Sequence, residues 1–295
     1  MKNDMAGALF VLAGALCFST TGLTQAIIAA DGATPLAVGA IRTLIGGLAL
    51  LALCCFRGKI PRIKGWPAKN LAACCLGLIG FQLFFFKGVL QAGVAAGTLA
   101  SIGFTPVAAA ILSAVFLKER PVQSWYPATL LILAGLWLLT GADLQGTTLN
   151  SLFFPLAAGA SYGFYLTFGK ALVKNHDPLA VMTVLLLICG ACLCPLLFTE
   201  HATWLFSGKG MMAALHLGIV TMAAAHTLSL AGLSRTSAST AATLATAEPV
   251  CAALLGFICL HEPVTLLSAS GMVCVIAGSL LLVLLPKTLF GKNNR

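Results

Sequence analysis

Residues 35–56 read PLAVGAIRTLIGGLALLALCCF, a 22-residue apolar stretch interrupted by a single charged residue, Arg42. An α-helix rises 1.5 Å per residue, so a helix of about 20 residues crosses the ~30 Å hydrocarbon core of a bilayer. The length and composition of this stretch therefore predict a membrane-spanning helix. The number of such stretches in the chain gives the number of membrane spans.

Similar apolar stretches recur along the whole chain, separated by short loops that carry turn-forming and charged residues. They are unbroken over about 20 residues, whereas a membrane β-barrel alternates apolar and polar residues over segments of about ten. The first stretch lacks a convincing small-residue cleavage site, so we expect a retained span and not a signal peptide. We predict an all-α membrane protein with ten spans, at 6–29, 35–56, 69–90, 93–117, 122–141, 151–173, 178–198, 210–233, 238–260 and 264–286.

The overall composition supports a protein that is surrounded by lipid. Hydrophobic residues make up 59% of the 295 residues and charged residues only 8%, against about 25% charged residues in soluble domains. The net charge of +9 does not indicate a nucleic-acid partner, because the cations lie in short loops and form no stripe of alternating basic and aromatic residues. The 11 cysteines lie mostly within apolar stretches, and we predict no metal and no cofactor.

The cations also predict how the chain is oriented. Of the 17 Lys and Arg residues, 14 fall on the side of the two termini, and only Lys209 falls in a loop on the opposite side. Because cytoplasmic loops are enriched in Lys and Arg, we expect both termini in the cytoplasm and the protein in the inner (plasma) membrane. An even number of spans agrees with this orientation.

An internal repeat divides the chain into two halves. The tetrapeptide PLAV at 35–38 recurs at 178–181, an offset of 143 residues, and each half holds five predicted spans. An odd number of spans places the second half in the membrane upside down, an arrangement common in secondary transporters. We therefore predict inverted five-helix repeats at 1–146 and 147–295. The same offset pairs Gly47 with Gly190, Pro106 with Pro249, Glu119 with Glu262, and Gly135 with Gly278.

Two segments resemble a known family. Residues 98–121, TLASIGFTPVAAAILSAVFLKERP, and 242–263, ATLATAEPVCAALLGFICLHEP, each have a mid-span proline followed 13 residues later by Glu. Together with Arg42 and the ten spans, this pattern resembles the EamA-type carriers of the drug/metabolite transporter superfamily over essentially the whole chain. The resemblance implies transport of a small metabolite through a central cavity lined by spans 1, 3, 4, 6, 8 and 9. Lys87 departs from the pattern, since relatives usually carry a small or apolar residue there.

Ionisable side chains within spans are the first candidates for function, since burying one in a membrane is costly. Glu248, near the middle of its span, is a proton, cation or amine site, or a carboxyl that helps pack a kinked helix. His226, at similar depth, is a hydrogen-bonded structural histidine or a proton shuttle. Lys87 either extends to the membrane interface or binds a carboxylate or phosphate. For Arg42 we favour a structural role.

Polar and aromatic residues of the predicted spans complete the candidate site. Tyrosine hydroxyls within a membrane need hydrogen-bond partners, which a water-filled cavity provides, although ordinary packing remains the alternative for each aromatic residue. The predicted substrate-binding residues are Phe18, Ser19, Thr20, Gln82, Phe85, Lys87, Ser101, Tyr162, Tyr165, His226 and Glu248.

These features favour a secondary transporter that exports a small metabolite, such as an amino acid or organic acid, by alternating access. Two basic side chains against one acid within the spans favour an anionic or zwitterionic solute. The alternative is a proton-coupled antiporter for drugs or cations that uses Glu248. We expect a monomer in contact with membrane lipid, and no enzymatic activity, because a Walker-type loop is absent from the sequence and the loops are short and poor in acids.

Overall fold

The computed structural model describes residues 2–29, 31–139, 148, 150–198, 202–260 and 264–284. Within these ranges the regular structure is helical throughout, and no strand is found. Eight of the helices are long and apolar enough to cross a membrane, and a shorter apolar helix, Trp125–Leu139, accompanies them. The chain is therefore an all-helical multi-pass membrane protein, which confirms the predicted fold class at this level.

The helices of the first half follow the predicted spans closely. The helix at 35–56 begins where expected because the Thr34 side chain accepts a 3.3 Å hydrogen bond from Ala37 N and Pro35 fits the first turn. A wider π-helical turn, Ser113–Leu117, extends the fourth helix. The helices are α1 (Lys2–Ala29), α2 (Pro35–Phe56), α3 (Ala68–Ala92), α4 (Val94–Leu112) and α5 (Trp125–Leu139).

The second half contains more interruptions. A 3-10 turn, Cys194–Phe198, follows the seventh helix, and a second, Thr203–Phe206, precedes the eighth. A π-helical stretch, Leu217–Ala224, joins α8 to α9. The helices are α6 (Phe153–Val173), α7 (Pro178–Leu193), α8 (Gly208–His216), α9 (Ala225–Leu233), α10 (Ala238–Ala245), α11 (Glu248–Leu260) and α12 (Leu266–Leu284).

The predicted continuous span at 238–260 is divided into α10 and α11. Pro249 has no N–H to donate to the carbonyl of Ala245, and its ring crowds that turn, so the helix ends and begins again at Glu248. Pro106 of α4 does not break its helix in this way. Glu262, the repeat partner of Glu119, and the three cations at the C-terminus lie outside the described residues.

Close contacts between helix backbones hold the bundle together. α3 packs along α6, α5 along α12, α1 along α9 and α2 along α7. At Gly77 of α3, an added Cβ would lie 2.8 Å from Ser161 O and 2.7 Å from Tyr165 N of α6. Small residues at such contacts allow the close approach on which helix association in membranes depends.

One end of the bundle is densely packed. At this end α1, α3, α7 and α10 begin, and α2, α6 and α9 end. We call it the packed end, and the other the open end. Its buried apolar cluster includes Ala8, Val11, Leu50, Cys74, Leu172, Val181, Leu233 and Ala238.

Candidate functional site

A cavity of about 910 Å³ extends from the middle of the bundle to its open end. This volume is in the range of small-molecule pockets. The helices of all the spans that the family resemblance implied contribute to the lining, and α2 and α7 contribute as well. Towards the open end the lining includes Gln25, Ala29, Pro35, Val89, Leu90, Thr98, Leu139 and Leu193.

A hydrogen-bonded polar group lies on the α2 and α3 side of the cavity. The Arg42 guanidinium donates a 2.8 Å hydrogen bond from Nη2 to Oε1 of Gln82. Nε2 of Gln82 donates a 3.5 Å bond to Oγ1 of Thr43, whose hydroxyl donates to the carbonyl of Gly39 at 2.7 Å. This chain of bonds orients the Gln82 amide and, through it, the guanidinium.

Glu248 lies in the same cavity at the break between α10 and α11. Among the described residues, no hydrogen bond or ion pair involves its carboxylate. Arg42 lines the same cavity as Glu248. The cavity surface therefore carries one cation and one carboxylate, and no ion pair joins the two among the described residues.

Aromatic rings form a further wall. The Phe18 ring meets His226 edge-on, with centroids 4.7 Å apart, and Phe81 lies 4.9 Å from Tyr162. Tyr162 in turn lies 5.2 Å from Tyr165. These rings give the cavity an apolar surface beside its two charged side chains.

The structure brings seven of the eleven predicted residues into the cavity lining: Phe18, Ser19, Gln82, Phe85, Tyr162, His226 and Glu248. The other four are not part of the described lining. Thr20 shares a 2.9 Å hydrogen bond with Nε2 of His216. Ser101 is fully buried between helices, and its hydroxyl has no partner among the described residues. Tyr165 is fully buried behind the lining, with its hydroxyl 3.5 Å from Nδ1 of His226.

Lys87 lies on the outer surface of α3. Its Nζ sits 4.3 Å from the centroid of the Phe154 ring, and its side chain is exposed. Five residues after Gln82 a helix has turned about 140° away from the direction of Gln82, so Lys87 cannot share the cavity surface with it. The structure thus places Lys87 outside the cavity lining.

Arg42, for which we favoured a structural role, lies in the cavity lining. It drew attention in the sequence as the one charged residue of its apolar stretch. The sequence did not indicate that its partner is Gln82, which is 40 residues away.

Metal-binding and disulfide chemistry have no obvious place in the described part of the chain. The ten cysteines whose side chains the structure describes are free thiols, and no group of three His, Cys, Asp or Glu side chains in the described residues could hold a metal ion.

The family of the chain follows from comparison with known proteins. The model of the EamA-like transporter family matches residues 5–141 and again residues 149–284. The chain belongs to the EamA-like transporter family. This assignment agrees with the resemblance found in the sequence, and it fits a multi-helix membrane protein with a ligand-sized cavity.

Three similar proteins extend this EamA-like assignment. The chain is 38% identical over 283 residues to the uncharacterized transporter YwfM of Bacillus subtilis (strain 168), covering 95% of this chain and 94% of that protein. It is 27% identical over 252 residues to the threonine/homoserine exporter RhtA of Escherichia coli (strain K12), covering 83% and 82%. A crystal structure of a protein with 22% identity superposes with a TM-score of 0.80, covering 93% of this chain and 95% of that chain, and supports the fold alone.

Proposed function

We propose that this transporter is a secondary carrier that exports a small metabolite, an amino acid or an organic acid, by alternating access. The observation that carries the proposal is the cavity of about 910 Å³, which reaches one end of the bundle while the other end is packed. A cavity closed on one side only is what a carrier presents in one of its two states. The name of RhtA, a threonine/homoserine exporter, supports the substrate class.

We further propose that residues 1–146 and 147–295 form inverted five-helix repeats. Helix contacts support this symmetry, because exchanging the two halves turns the contact of α3 with α6 into the contact of α9 with α1, and both are present. The α2–α7 and α5–α12 contacts each join a helix to its equivalent in the other half, as the symmetry requires. Rocking of two such halves would close the open end and open the packed end.

The same proposal includes the orientation and the assembly. Both termini lie in the cytoplasm of the inner membrane, the packed end faces the cytoplasm, and one chain encloses the cavity as a monomer. Reporter fusions after Gly58 and after Gly93 test the orientation. The first should behave as cytoplasmic and the second as external, and the reverse result would overturn this part of the proposal.

Transport is tested with purified protein in lipid vesicles. Vesicles are loaded with an unlabelled amino acid or organic acid, and uptake of the same labelled compound by counterflow is followed for a panel of both classes. We expect at least one compound to accumulate in vesicles with protein and not in empty vesicles. Absence of counterflow across the whole panel would contradict the proposed function.

A second candidate is a proton-coupled antiporter for cationic or hydrophobic compounds. It is favoured by the unpartnered Glu248 carboxylate in the cavity, which could exchange a proton for a cation. A pH gradient should then drive uptake of a fluorescent cation into vesicles, and Glu248→Gln should abolish it. Uptake that persists in Glu248→Gln, or that is absent in the unmodified protein, rules this candidate out.

A further inference from the structure

The charges of the cavity lining are balanced. Among the described lining residues, Arg42 and Glu248 are the two that carry a full charge, one positive and one negative. No ion pair joins them in the described structure, so each remains available to a ligand between them. A lining with one separated charge of each sign suits a solute that also carries both.

Arg42 has donors left for a ligand. A guanidinium has five N–H donors, and Nη2 of Arg42 is the one nitrogen bonded to Gln82. Its Nε is buried and does not face the cavity, whereas Nη1 is not buried in this way and makes no hydrogen bond to the described residues. A ligand in the cavity can therefore supply an acceptor to Nη1 and to the second hydrogen of Nη2.

The chemistry of that occupant follows from the guanidinium itself. Arginine binds carboxylates through two parallel hydrogen bonds, with a geometry that lysine does not match. Because Gln82 and Thr43 hold the group in one orientation, it is organised for binding before a ligand arrives. Pre-organisation of this kind raises affinity by lowering the cost of ordering the site.

Glu248 provides the complementary group. It lies at the helix break on the cavity surface, and the rings of Phe18, Phe81 and Tyr162 line the same cavity. A carboxylate beside aromatic rings is a favourable site for an ammonium group, which gains both a charge partner and a π surface. A ligand that carries both a carboxylate and an ammonium group can then reach from Arg42 to Glu248.

We infer that the cavity binds the zwitterionic backbone of an α-amino acid, with its carboxylate on Arg42 and its ammonium on Glu248. This inference rests on the proposed function and names the substrate class within it. Arg42 and Glu248 are binding residues, and Gln82 is a positioning residue that acts through the guanidinium. The side chain of the amino acid faces the wall formed by Phe18, Phe81, Phe85 and Met222.

The test uses modified ligands and the intact protein in detergent. The twenty proteinogenic amino acids are screened for binding, and the tightest binder is compared with its methyl ester, which lacks the carboxylate charge, and its N-acetyl derivative, which lacks the ammonium. We expect each derivative to bind at least ~30-fold more weakly, as for loss of one partner of a buried charge pair. Equal binding of either derivative, or no binding by any amino acid, overturns the inference.

Two variants then assign each charge to its residue. Arg42→Gln should bind the amino acid at least ~30-fold more weakly and should no longer distinguish it from the methyl ester. Glu248→Gln should lose the discrimination against the N-acetyl derivative instead. Lys87→Gln, which removes a cation outside the cavity, is the matched control and should bind like the unmodified protein.

A merely structural role of Arg42 or Glu248 would weaken the binding of the amino acid and of both derivatives by the same factor. A binding role removes the discrimination against one derivative only, so uniform weakening would overturn the assignment of the residues.

Gln82→Glu adds a check on positioning. The substitution keeps the hydrogen bond to Arg42 but neutralises the anion site, so the variant should not bind the amino acid. Counterflow of an organic acid without an amino group, and of no amino acid, would overturn the inference and leave the proposed function intact.

Discussion

The indole Nε1 of Trp125 donates a 2.8 Å hydrogen bond to Oγ1 of Thr243, and this bond joins α5 to α10. Both side chains are buried, with 7% of Trp125 and none of Thr243 exposed. A polar group in the hydrocarbon region finds no water to replace a lost partner. The bond therefore couples the first half of the chain to the segment just before the helix break.

Replacing Trp125 with Phe should lower the melting temperature of the protein in detergent. Hydrogen bonds between membrane helices contribute about 0.6 kcal/mol on average and up to about 1.7 kcal/mol, and the smaller ring loses packing as well. Tyr126→Phe is the control, since Tyr126 is 55% exposed. A melting temperature that falls equally in both variants would show that the bond to Thr243 contributes nothing specific.

Two glycine substitutions should change stability in opposite directions. Gly77→Ala brings a methyl group within 2.7 Å of Tyr165 N, so α3 and α6 must move apart. Overpacking of this kind costs about 1–3 kcal/mol. At Gly22 of α1 an added Cβ meets nothing within 4 Å, and alanine favours the helix by up to about 1 kcal/mol. Thermal unfolding in detergent should rank Gly22→Ala at or above the unmodified protein and Gly77→Ala below it.

Cysteine labelling should separate the cavity from the packed interior. Ser19 and Ser101 are 3% and 0% exposed, but only Ser19 is in the cavity lining. In a variant whose native cysteines have been replaced, Ser19→Cys should react with a small cationic methanethiosulfonate reagent, and Ser101→Cys should not. Equal reaction rates for the two thiols would contradict the cavity described above.

Lys87→Gln should leave the transport rate within roughly twofold of that of the unmodified protein, as for other surface substitutions. Its side chain is exposed and lies over Phe154, outside the cavity lining. Counterflow in vesicles measures the rate, with Phe85→Ala of the cavity wall as the comparison that should change it. A large loss in Lys87→Gln alone would restore the hypothesis of a substrate clamp at Lys87.

The sequence determined most of the architecture. Helix positions could be predicted because each span must be apolar over about 20 residues, and loops must carry the charges and turn residues. The start of α2 at Pro35 and that of α7 at Pro178 match the predicted bounds, since a capping residue and a proline mark each one. We predicted a kinked but continuous span at 238–260, since the sequence does not distinguish Pro249, where the helix breaks, from Pro106, which leaves α4 continuous.

The candidate site could be predicted only in part. Polar and aromatic residues within spans are rare enough to be noticed one by one, which is why Glu248, His226 and Gln82 were found. The sequence did not show which way each side chain points, because successive helix residues are rotated by 100° and a small error in phase turns a cavity-facing side chain towards lipid. The structure places Arg42 in the cavity lining and Lys87 outside it.

The sequence by itself thus determined that this chain is a helical multi-pass membrane protein, because the membrane requires apolar spans with satisfied backbones, and its motifs resembled the EamA-type carriers. Only the tertiary structure decided which polar groups meet. Arg42 and Gln82 are 40 residues apart, and Glu248 is on a helix of the other half. Packing of α2 and α3, and the break ahead of α11, bring these three side chains to one cavity.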